Sequence, residues 1–351
     1  MKVWDVAVVG YGDISGVYFD NMINRFDNLR VVACCSKHGV SAKKSADRYG
    51  IEAMSLRDIL GDPRIEVIVN LTPPAEHYGI VKAALLSGKH VYTEKVMAAT
   101  YEQARELAQI AGDKGLMLGC APDTYLGAGI RTAREAVEDG LIGEVTGCAA
   151  VLNRNNGELY DRLPFLIQPG AGIGFDVGIY YITAFLSILG PVAAVSGRVN
   201  TREPLRMNRD PGSPGFGKPY RVMGENIMCG ILEFRSGVLG TVLFNGNCIF
   251  PEIPYVAMQG TKGVLYLPDP NTFGGKVVLR TPEHERELPL SGRYADNSRG
   301  LGVSQMMRSF EAGEKTDRSM AMAIHSIEIL EGIVKSSRTK EHVILTSSFR
   351  G

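Results

Sequence analysis

The sequence has no excess of charge of either sign and no long hydrophobic run. Its 351 residues carry 38 Lys and Arg against 38 Asp and Glu, a formal net charge of zero. Bulk charge therefore predicts no recognition of nucleic acid or of an anionic membrane surface. No apolar run reaches transmembrane length, and the first predicted strand starts too early to leave room for a signal peptide. We expect a cytoplasmic protein that binds neither nucleic acid nor membrane.

The six cysteines lack the CxxC spacing of metal and redox sites. Cys34 and Cys35 are neighbours in a predicted strand, so their side chains point to opposite faces and cannot share a metal ion. We interpret all six as reduced thiols packed as small hydrophobic side chains, and we expect no metal site.

The length and the change in pattern along the chain predict two domains. The chain is too long for one average core, and 45% hydrophobic with 22% charged residues is an ordinary globular composition. The pattern changes after about residue 122. We therefore predict a nucleotide-binding domain at 1–122 and a substrate-binding, oligomerising domain at 123–351.

Strands and helices alternate in the first domain, which predicts a parallel, doubly wound sheet of the Rossmann type. The predicted strands are Val3–Val9, Arg30–Cys35, Val67–Leu71, His90–Thr93 and Leu116–Cys120. Helical patterns lie between them near Ser15–Phe26, Ala42–Tyr49, Ala75–Ser87 and Tyr101–Lys114.

Strand patterns dominate the second domain, which predicts an α/β domain with a large, mostly antiparallel, open-faced sheet. A Gly-rich turn at Gly170–Gly174 precedes a predicted helix at Val177–Leu189, and Pro204–Pro219 is predicted to be a long loop. Two helices are predicted to close the chain, near Gly302–Ala312 and Met320–Ser337. One face of this sheet lacks predicted helical cover, so we expect a homodimer or homotetramer formed through it.

The most informative motif is an apolar run that ends in a glycine turn, at Gly10, Gly12, Asp13 and Ile14. Gly10 permits a tight turn, Gly12 lets a pyrophosphate approach the backbone, and the following helix offers its N-terminal amides. The motif is weak alone, but the alternating strands and helices that follow favour a dinucleotide site.

Ligands of an open parallel sheet bind at the carboxyl ends of the strands. Besides the glycine turn, this edge should carry Cys35–His38, then Leu71, Thr72 and Pro73, and then Thr93, Glu94 and Lys95. We predict that Lys95 moves a proton, because a partly desolvated ammonium has a lowered pKa. The alternative is a solvated loop lysine paired with Glu94.

Three further residues near this edge are candidates for cofactor contacts. Ser36 and Lys37 stand where NAD-binding domains usually carry an acidic residue, so a 2′-phosphate would be favoured and NADP slightly preferred over NAD. The alternative is that this loop points elsewhere. His77 lies in the first turn of its helix, close to the same edge.

Asp176 and Tyr180 form a second candidate set. Asp176 can cap the helix that follows the Gly-rich turn, and Tyr180 lies on the same face four residues later. The alternative is a capping aspartate and a packed tyrosine. Arg154, Tyr160 and Arg299 lie in loops at element ends and are predicted to contact substrate.

Together these segments resemble the Gfo/Idh/MocA family of oxidoreductases, named for glucose–fructose oxidoreductase and inositol dehydrogenase. The motifs are the glycine turn, Val69–Pro74 with His77, Gly88–Lys95, Gly140–Val145 and Gly170–Tyr181. The segments Gly119–Tyr125, Pro268–Asn271 and Asn297–Gly300 look like one bacterial branch of predicted sugar dehydrogenases, and we place Asp123 among the cofactor contacts.

The resemblance implies a nicotinamide-dependent oxidoreductase acting on a sugar, cyclitol or related polyol in a cleft between the domains. Lys95 matches the lysine of the family's Glu-Lys-Pro motif, Asp176 its second-domain catalytic aspartate, and Tyr180 a position held by His or Tyr. Val96 replaces the proline of that motif, and Ser36 replaces an acidic residue. The segment Leu159–Gln168 differs from the sequence expected there in the family. Redox-assisted glycoside cleavage or epimerisation with a tightly bound cofactor, and a non-catalytic dinucleotide sensor, remain alternatives.

Overall fold

The computed structural model describes residues 2–37, 40–168, 170–314 and 317–349. The chain divides into two compact units. The first comprises Met1–Asp123 and Asn297–Ile324, and the second comprises Thr124–Asp296 and His325–Gly351. The first break falls next to the boundary predicted at residue 122. The return of 297–324 to the first unit differs from that prediction, in which everything after 122 is one domain.

The first unit contains a six-stranded parallel sheet in the order β3-β2-β1-β4-β5-β6. Its strands are β1 (Trp4–Val9), β2 (Leu29–Cys35), β3 (Glu52–Ala53), β4 (Val67–Asn70), β5 (His90–Thr93) and β6 (Leu118–Cys120). Its helices are α1 (Ser15–Asn24), α2 (Val40–Tyr49), α3 (Leu56–Gly61), α4 (Pro74–Leu86), α5 (Tyr101–Lys114) and α9 (Leu301–Glu311). The strand order reverses between β1 and β4, which is where such sheets bind ligands. The predicted Rossmann sheet is confirmed.

Local sequence signals explain several boundaries in this unit. The Ser55 side chain accepts a hydrogen bond from the Asp58 N–H at the start of α3, and Thr100 does the same for Gln103 at the start of α5. Gly115 ends α5 with a φ of 64°, a conformation that favours glycine. Strands β4 and β5 are buried along their whole length, as expected of parallel strands covered on both faces.

The second unit contains a nine-stranded mixed sheet in the order β16-β15-β14-β13-β7-β12-β11-β8-β17. Only β7 and β12 pair in parallel among these strands, so the predicted mostly antiparallel sheet is confirmed. Its strands are β7 (Val145–Asn153), β8 (Val192–Asn200), β11 (Ile227–Phe234), β12 (Leu239–Asn245), β13 (Tyr255–Gly260), β14 (Val264–Tyr266), β15 (Val277–Arg280), β16 (Glu285–Leu288) and β17 (Val343–Ile344). The helices are α6 (Ala128–Glu138), α7 (Gly157–Arg162), α8 (Ile179–Leu189) and most of α10 (Arg318–Thr339), with 3₁₀ turns at Thr124–Leu126 and Pro164–Ile167.

Burial alternates strictly along the central strands of this sheet. In β11 and β12 every second residue is buried, Met228 and Val242 among them. Ile231 and Leu239 on the other face are 50% and 57% exposed. Such alternation is typical of a sheet with one face in the core and one outside it. The expected homo-oligomer through the open face stays a prediction.

Two segments of the second unit differ from their predicted form. The ends of the predicted long loop pair as an antiparallel hairpin, β9 (Leu205–Met207) with β10 (Pro219–Arg221). The predicted helix Val177–Leu189 begins instead with a π-helical turn, Gly174–Gly178, and α8 starts at Ile179. Among the described residues, no helix is both long and apolar enough to span a membrane.

Candidate active site

The glycine turn lies between β1 and α1, as predicted. Gly10 has a φ of +105°, and a Cβ placed there would lie 2.6 Å from the Leu71 carbonyl carbon and 2.7 Å from the Thr72 nitrogen. A Cβ at Gly12 would meet nothing within 4 Å. No side chain caps the N-terminus of α1. The two glycines therefore serve different needs, close packing of the backbone at Gly10 and open space at Gly12.

A polar network holds the loop that follows β4. The Asn70 side-chain oxygen accepts hydrogen bonds from the Thr72 hydroxyl at 2.8 Å and the Thr72 N–H at 3.3 Å. The Asn70 side-chain amide donates to the Thr93 hydroxyl, 3.0 Å away at the end of β5. Because Asn70 is fully buried, these bonds satisfy it and fix Thr72 next to the neighbouring strand.

His77 joins two loops at this edge of the sheet. Its Nε2 lies 2.7 Å from the Thr72 carbonyl oxygen, and its Nδ1 lies 2.6 Å from the Val96 carbonyl oxygen. The ring is fully buried, and burial lowers its pKa. His77 thus ties the residue beside Pro73 to the residue beside Lys95 through backbone contacts. Its predicted contact with the cofactor remains a prediction.

Lys95 follows β5, and its backbone contacts the buried carboxylate of Glu94. Its N–H donates to Glu94 Oε2 at 3.1 Å, and the Tyr18 hydroxyl of α1 donates to Glu94 Oε1 at 2.8 Å. Burial, and next the charge of Glu94, raise the pKa of Tyr18 well above its ordinary value, so its hydroxyl stays protonated. The peptide bond between Lys95 and Val96 is cis. The Glu94 carboxylate thus fixes the backbone at Lys95.

Asp123 anchors the returning segment 297–324 within the first unit. Its Oδ2 accepts hydrogen bonds from the N–H groups of Gly300 and Gly302, each at 3.0 Å. The Asn21 side chain of α1 donates to the carbonyl oxygens of Asn297 and Arg299. Arg299, predicted to contact substrate from the second domain, therefore belongs to the first unit. Its substrate role stays a prediction.

Asp123 makes stability depend on pH. Burial raises its pKa to about 6. Because the unfolded-state pKa is lower, the folded state binds the proton more tightly, and stability falls as pH rises through roughly pH 4–6. Asp123→Asn keeps an acceptor for both amides and removes the charge. We expect the variant to gain about 2 kcal/mol of unfolding free energy relative to the wild type between pH 4.5 and 7.5.

Urea unfolding at the two pH values measures this gain. Asp47→Asn, on the exposed face of α2, is the matched control and should show no such pH-dependent gain. A difference between wild type and Asp123→Asn that is independent of pH would contradict the linkage.

The loop after β2 keeps both predicted residues near its surface. The Ser36 hydroxyl accepts a hydrogen bond from the Ala42 N–H at 3.0 Å, and a hydroxyl that accepts one bond can still donate its own proton. The Lys37 side chain is 74% exposed, and its Nζ lies 3.4 Å from Glu76 Oε1. Such an ion pair at the surface contributes little to stability. His38, also predicted at this edge, lies outside the described residues.

In the second unit, Asp176 lies inside the π-helical turn, so its predicted role as a helix N-cap is wrong. Its N–H donates to the Gly172 carbonyl oxygen at 2.8 Å. Gly174 and Gly178 make this turn possible, because a Cβ at either would press on Met228 or Phe244 at 2.5–2.7 Å. The Asp176 carboxylate pairs with the Arg154 guanidinium at 3.6 Å. The structure therefore brings together two of the residues predicted for this domain.

The two predicted tyrosines of this unit are both buried. Tyr180 lies in the first turn of α8, and Tyr160 packs in a small apolar cluster with Leu166 and Val222. Tyr18 and Asn70 were not among the predicted site residues, although Asn70 lies within the Val69–Pro74 motif. Asn70 carried a signal, as a polar residue ending an apolar parallel strand, whereas Tyr18 resembled any apolar helix residue.

Comparison with known families identifies the chain. Residues 4–121 match the model of the oxidoreductase family with an NAD-binding Rossmann fold, and residues 130–266 match the Gfo/Idh/MocA C-terminal domain. The chain belongs to the Gfo/Idh/MocA family. The resemblance drawn from its motifs is confirmed, and the Rossmann unit is that of an oxidoreductase family.

Individual relatives differ in how much of the chain they cover. The chain is 25% identical to scyllo-inositol 2-dehydrogenase (NADP(+)) of Bacillus subtilis, over 97% of this chain and 95% of that protein. It is 31% identical to an uncharacterized oxidoreductase of Schizosaccharomyces pombe, but over only 43% of this chain and 41% of that protein. Levoglucosan dehydrogenase, solved with NADH and L-sorbose, superposes with a TM-score of 0.83 at 18% identity, over 98% and 99% of the two chains. That last likeness establishes the fold alone.

Proposed function

We propose that this member of the family is an NAD(P)-dependent dehydrogenase that oxidises a hydroxyl-bearing carbon of a sugar, cyclitol or related polyol. The observation that carries the proposal is the placement of Lys95, which follows β5 with its backbone fixed by the buried Glu94. Related support comes from the scyllo-inositol dehydrogenase that matches nearly the whole chain. A non-catalytic sensor would need no such lysine.

The residues around the glycine turn fit a nicotinamide dinucleotide. The open space over Gly12 and the uncapped N-terminus of α1 suit a pyrophosphate, which gains from helix N–H groups. Leu71, Thr72 and Pro73 follow β4, next to the strand-order reversal. Asp13, Ile14 and Asp123 remain proposed contacts. The bound cofactor would supply the hydride acceptor.

Each proposed catalytic residue has one task. Lys95 takes the proton of the substrate hydroxyl. Asp176, held by Arg154, orients a substrate hydroxyl, and Tyr180 donates or accepts a hydrogen bond beside it. General acid–base assistance of this kind contributes about 10²- to 10⁴-fold in rate. Thr72 and Pro73 present polar backbone and hydroxyl groups to the nicotinamide side.

A panel of sugars and polyols tests the function, with NAD or NADP in excess and with either in catalytic amounts. With at least one polyol of the panel, we expect reduced cofactor to accumulate in proportion to the oxidised product. A product that forms without accumulation of reduced cofactor would favour redox-assisted cleavage or epimerisation instead. Cofactor binding without any turnover would favour a sensor.

We further propose that NADP binds at least as tightly as NAD, because Ser36 and Lys37 offer a hydroxyl and a cation to a 2′-phosphate. Lys37→Ala should weaken NADP binding several-fold and leave NAD binding unchanged. Lys43→Ala, an exposed charge change on α2, is the matched control. Fluorescence titration measures the affinities of all three proteins for both cofactors, and a clear wild-type preference for NAD would contradict the proposed role of Ser36 and Lys37.

A further inference from the structure

Tyr18 is a buried phenol to which the proposed reaction gives no task. It lies in α1, its side chain is fully buried, and its hydroxyl donates to Glu94 Oε1 at 2.8 Å. Phe19, the next residue of the helix, is buried as completely without any hydroxyl. A buried hydroxyl needs a hydrogen-bond partner, whereas phenylalanine would fill the same space without that requirement. The bond to Glu94, rather than packing, therefore explains why the residue carries a hydroxyl.

The Glu94 carboxylate connects α1 to the backbone of Lys95. Its two oxygens have different partners, because Oε1 accepts from the Tyr18 hydroxyl and Oε2 accepts from the Lys95 N–H at 3.1 Å. Glu94 is 8% exposed, and hydrogen bonds to an ionised group are about twice as strong as those between neutral groups. A planar carboxylate that is held at one oxygen presents the other in a fixed direction. The position of Tyr18 is thus transmitted to the Lys95 backbone.

The segment that returns to the first unit packs beside the Tyr18 ring. A Cβ at Gly300 would lie 3.1 Å from Met22 Cγ and 3.7 Å from Tyr18 Cδ1, and Gly300 has a φ of +99°. The Gly300 N–H donates to Asp123 Oδ2 at 3.0 Å. Asn21, one turn after Tyr18, donates to two backbone carbonyl oxygens of the same segment, each at 2.9 Å. The backbone of this segment therefore limits movement of the ring away from Glu94.

Tyr18 keeps its proton over the accessible pH range. Burial raises its pKa well above the ordinary value, the charges of Glu94 and Asp123 raise it further, and the charge of Arg299 lowers it. The hydroxyl therefore remains a donor. A group that does not release its proton can orient a neighbour, but it cannot serve as the base of a reaction near neutral pH.

We propose that Tyr18 is a positioning residue, which orients Lys95 for proton transfer through the Glu94 carboxylate. This inference rests on the proposed function, in which Lys95 takes the proton of the substrate hydroxyl. Reacting groups must be held close to contact geometry, and a displacement of about 1 Å can cost on the order of 10²-fold in rate. Because Tyr18 acts only through Glu94 and Lys95, its removal affects the rate only while the Lys95 side chain is present.

Deletion of a hydroxyl at two tyrosines of the full-length protein tests the proposal. Tyr18→Phe removes the donor to Glu94 and keeps the ring. Tyr49→Phe is the matched control, because the Tyr49 hydroxyl also donates to a carboxylate of α1, Asp20 Oδ1 at 2.8 Å, but at an exposed position. Both substitutions are also made in the Lys95→Ala background, and thermal unfolding confirms that each variant is folded.

We expect Tyr18→Phe to lower kcat by about tenfold, the size expected for loss of a hydrogen bond to a charged group. KM for the polyol and the affinities for NAD and NADP should stay within about twofold of the wild type, because no binding contact is removed. The pH dependence of kcat should keep its position, since Tyr18 transfers no proton. In the Lys95→Ala background Tyr18→Phe should change kcat by less than about twofold, and Tyr49→Phe should match its parent in both backgrounds.

Hydrogen exchange of backbone amides reports on the Lys95 backbone without any turnover. The Lys95 N–H is protected by its bond to Glu94 Oε2, so a less fixed carboxylate in Tyr18→Phe should speed its exchange by about tenfold. The Val91 N–H, which donates to the Met117 carbonyl oxygen within the sheet, is the internal control. Its exchange should stay at the wild-type rate, which distinguishes a local effect from a general loss of stability.

The outcomes separate the positioning role from the reaction. An equal loss of kcat in both backgrounds, a shifted pH profile, or a loss of kcat without faster Lys95 exchange would each overturn the route from Tyr18 to Lys95. Unchanged kcat and unchanged exchange in Tyr18→Phe would also overturn it, while the dehydrogenase stands. Faster Lys95 exchange in Tyr18→Phe, without oxidation of any polyol by the wild type, would support the link from Tyr18 to Lys95 and overturn the dehydrogenase.

Discussion

Lys95→Ala should reduce turnover of the preferred polyol by about 10²-fold or more while the fold survives. The reduction is the general acid–base contribution of the residue that takes the hydroxyl proton. The fold should survive because Lys95 is only partly buried and because the Tyr18 hydroxyl and the Lys95 backbone N–H, which the substitution leaves in place, both donate to Glu94. Cofactor affinity should change little, since the substitution leaves the proposed cofactor contacts at the glycine turn and Pro73 in place. Steady-state kinetics and fluorescence titration measure the two quantities separately.

Three further variants make the Lys95 result specific. Lys95→Arg should not rescue turnover, because a guanidinium does not release its proton at accessible pH. Tyr180→Phe should lose less activity than Lys95→Ala if the phenol only assists. Lys114→Ala, the same charge change on the exposed end of α5, is the control.

Wild-type activity should fall towards acid pH as the base becomes protonated. If Lys95→Ala keeps most of its rate, Tyr180 becomes the leading candidate for the base.

The sequence predicted the first unit well because its signals are local. Strand β5 was predicted with its observed bounds, and Ser55 and Thr100 cap α3 and α5 through hydrogen bonds to residues three positions away. Apolar runs between glycine and proline boundaries specify buried parallel strands without reference to distant residues. Strand β3 was missed, since both of its residues are exposed and it carries no apolar pattern.

The features that were missed depend on contacts between residues far apart in the sequence. The π-helical turn at Asp176 follows from the packing of Gly178 against Phe244, more than 60 positions away. The return of 297–324 to the first unit follows from the bonds between Asp123 and the amides of Gly300 and Gly302. Neither the packing of Gly178 on Phe244 nor the hydrogen bonds of Asp123 produce a periodic pattern in the sequence.

Gly10→Ala should mainly lower stability, whereas Gly12→Ala should mainly lower affinity for the cofactor. At Gly10 an added Cβ would lie 2.6–2.8 Å from backbone atoms of Leu71 and Thr72, and the φ of +105° disfavours any side chain. Because backbone atoms cannot yield as a flexible side chain would, we expect a loss of stability on the order of 3 kcal/mol. At Gly12 the added Cβ enters open space, so stability should stay within about 0.5 kcal/mol of the wild type.

The proposed dinucleotide site gives Gly12→Ala a separate effect. The Cβ would occupy the space that we assign to the pyrophosphate, so affinity for NAD and NADP should fall at least about tenfold, or ~1.4 kcal/mol. Gly16→Ala, inside α1 with nothing within 4 Å of its Cβ, is the control and should raise stability by about 0.5–1 kcal/mol without changing affinity. Thermal unfolding and cofactor titration of the three variants separate the two effects. If Gly12→Ala binds both cofactors as tightly as the wild type, the pyrophosphate does not pass over Gly12, and the contacts proposed for Asp13 and Ile14 fail with it.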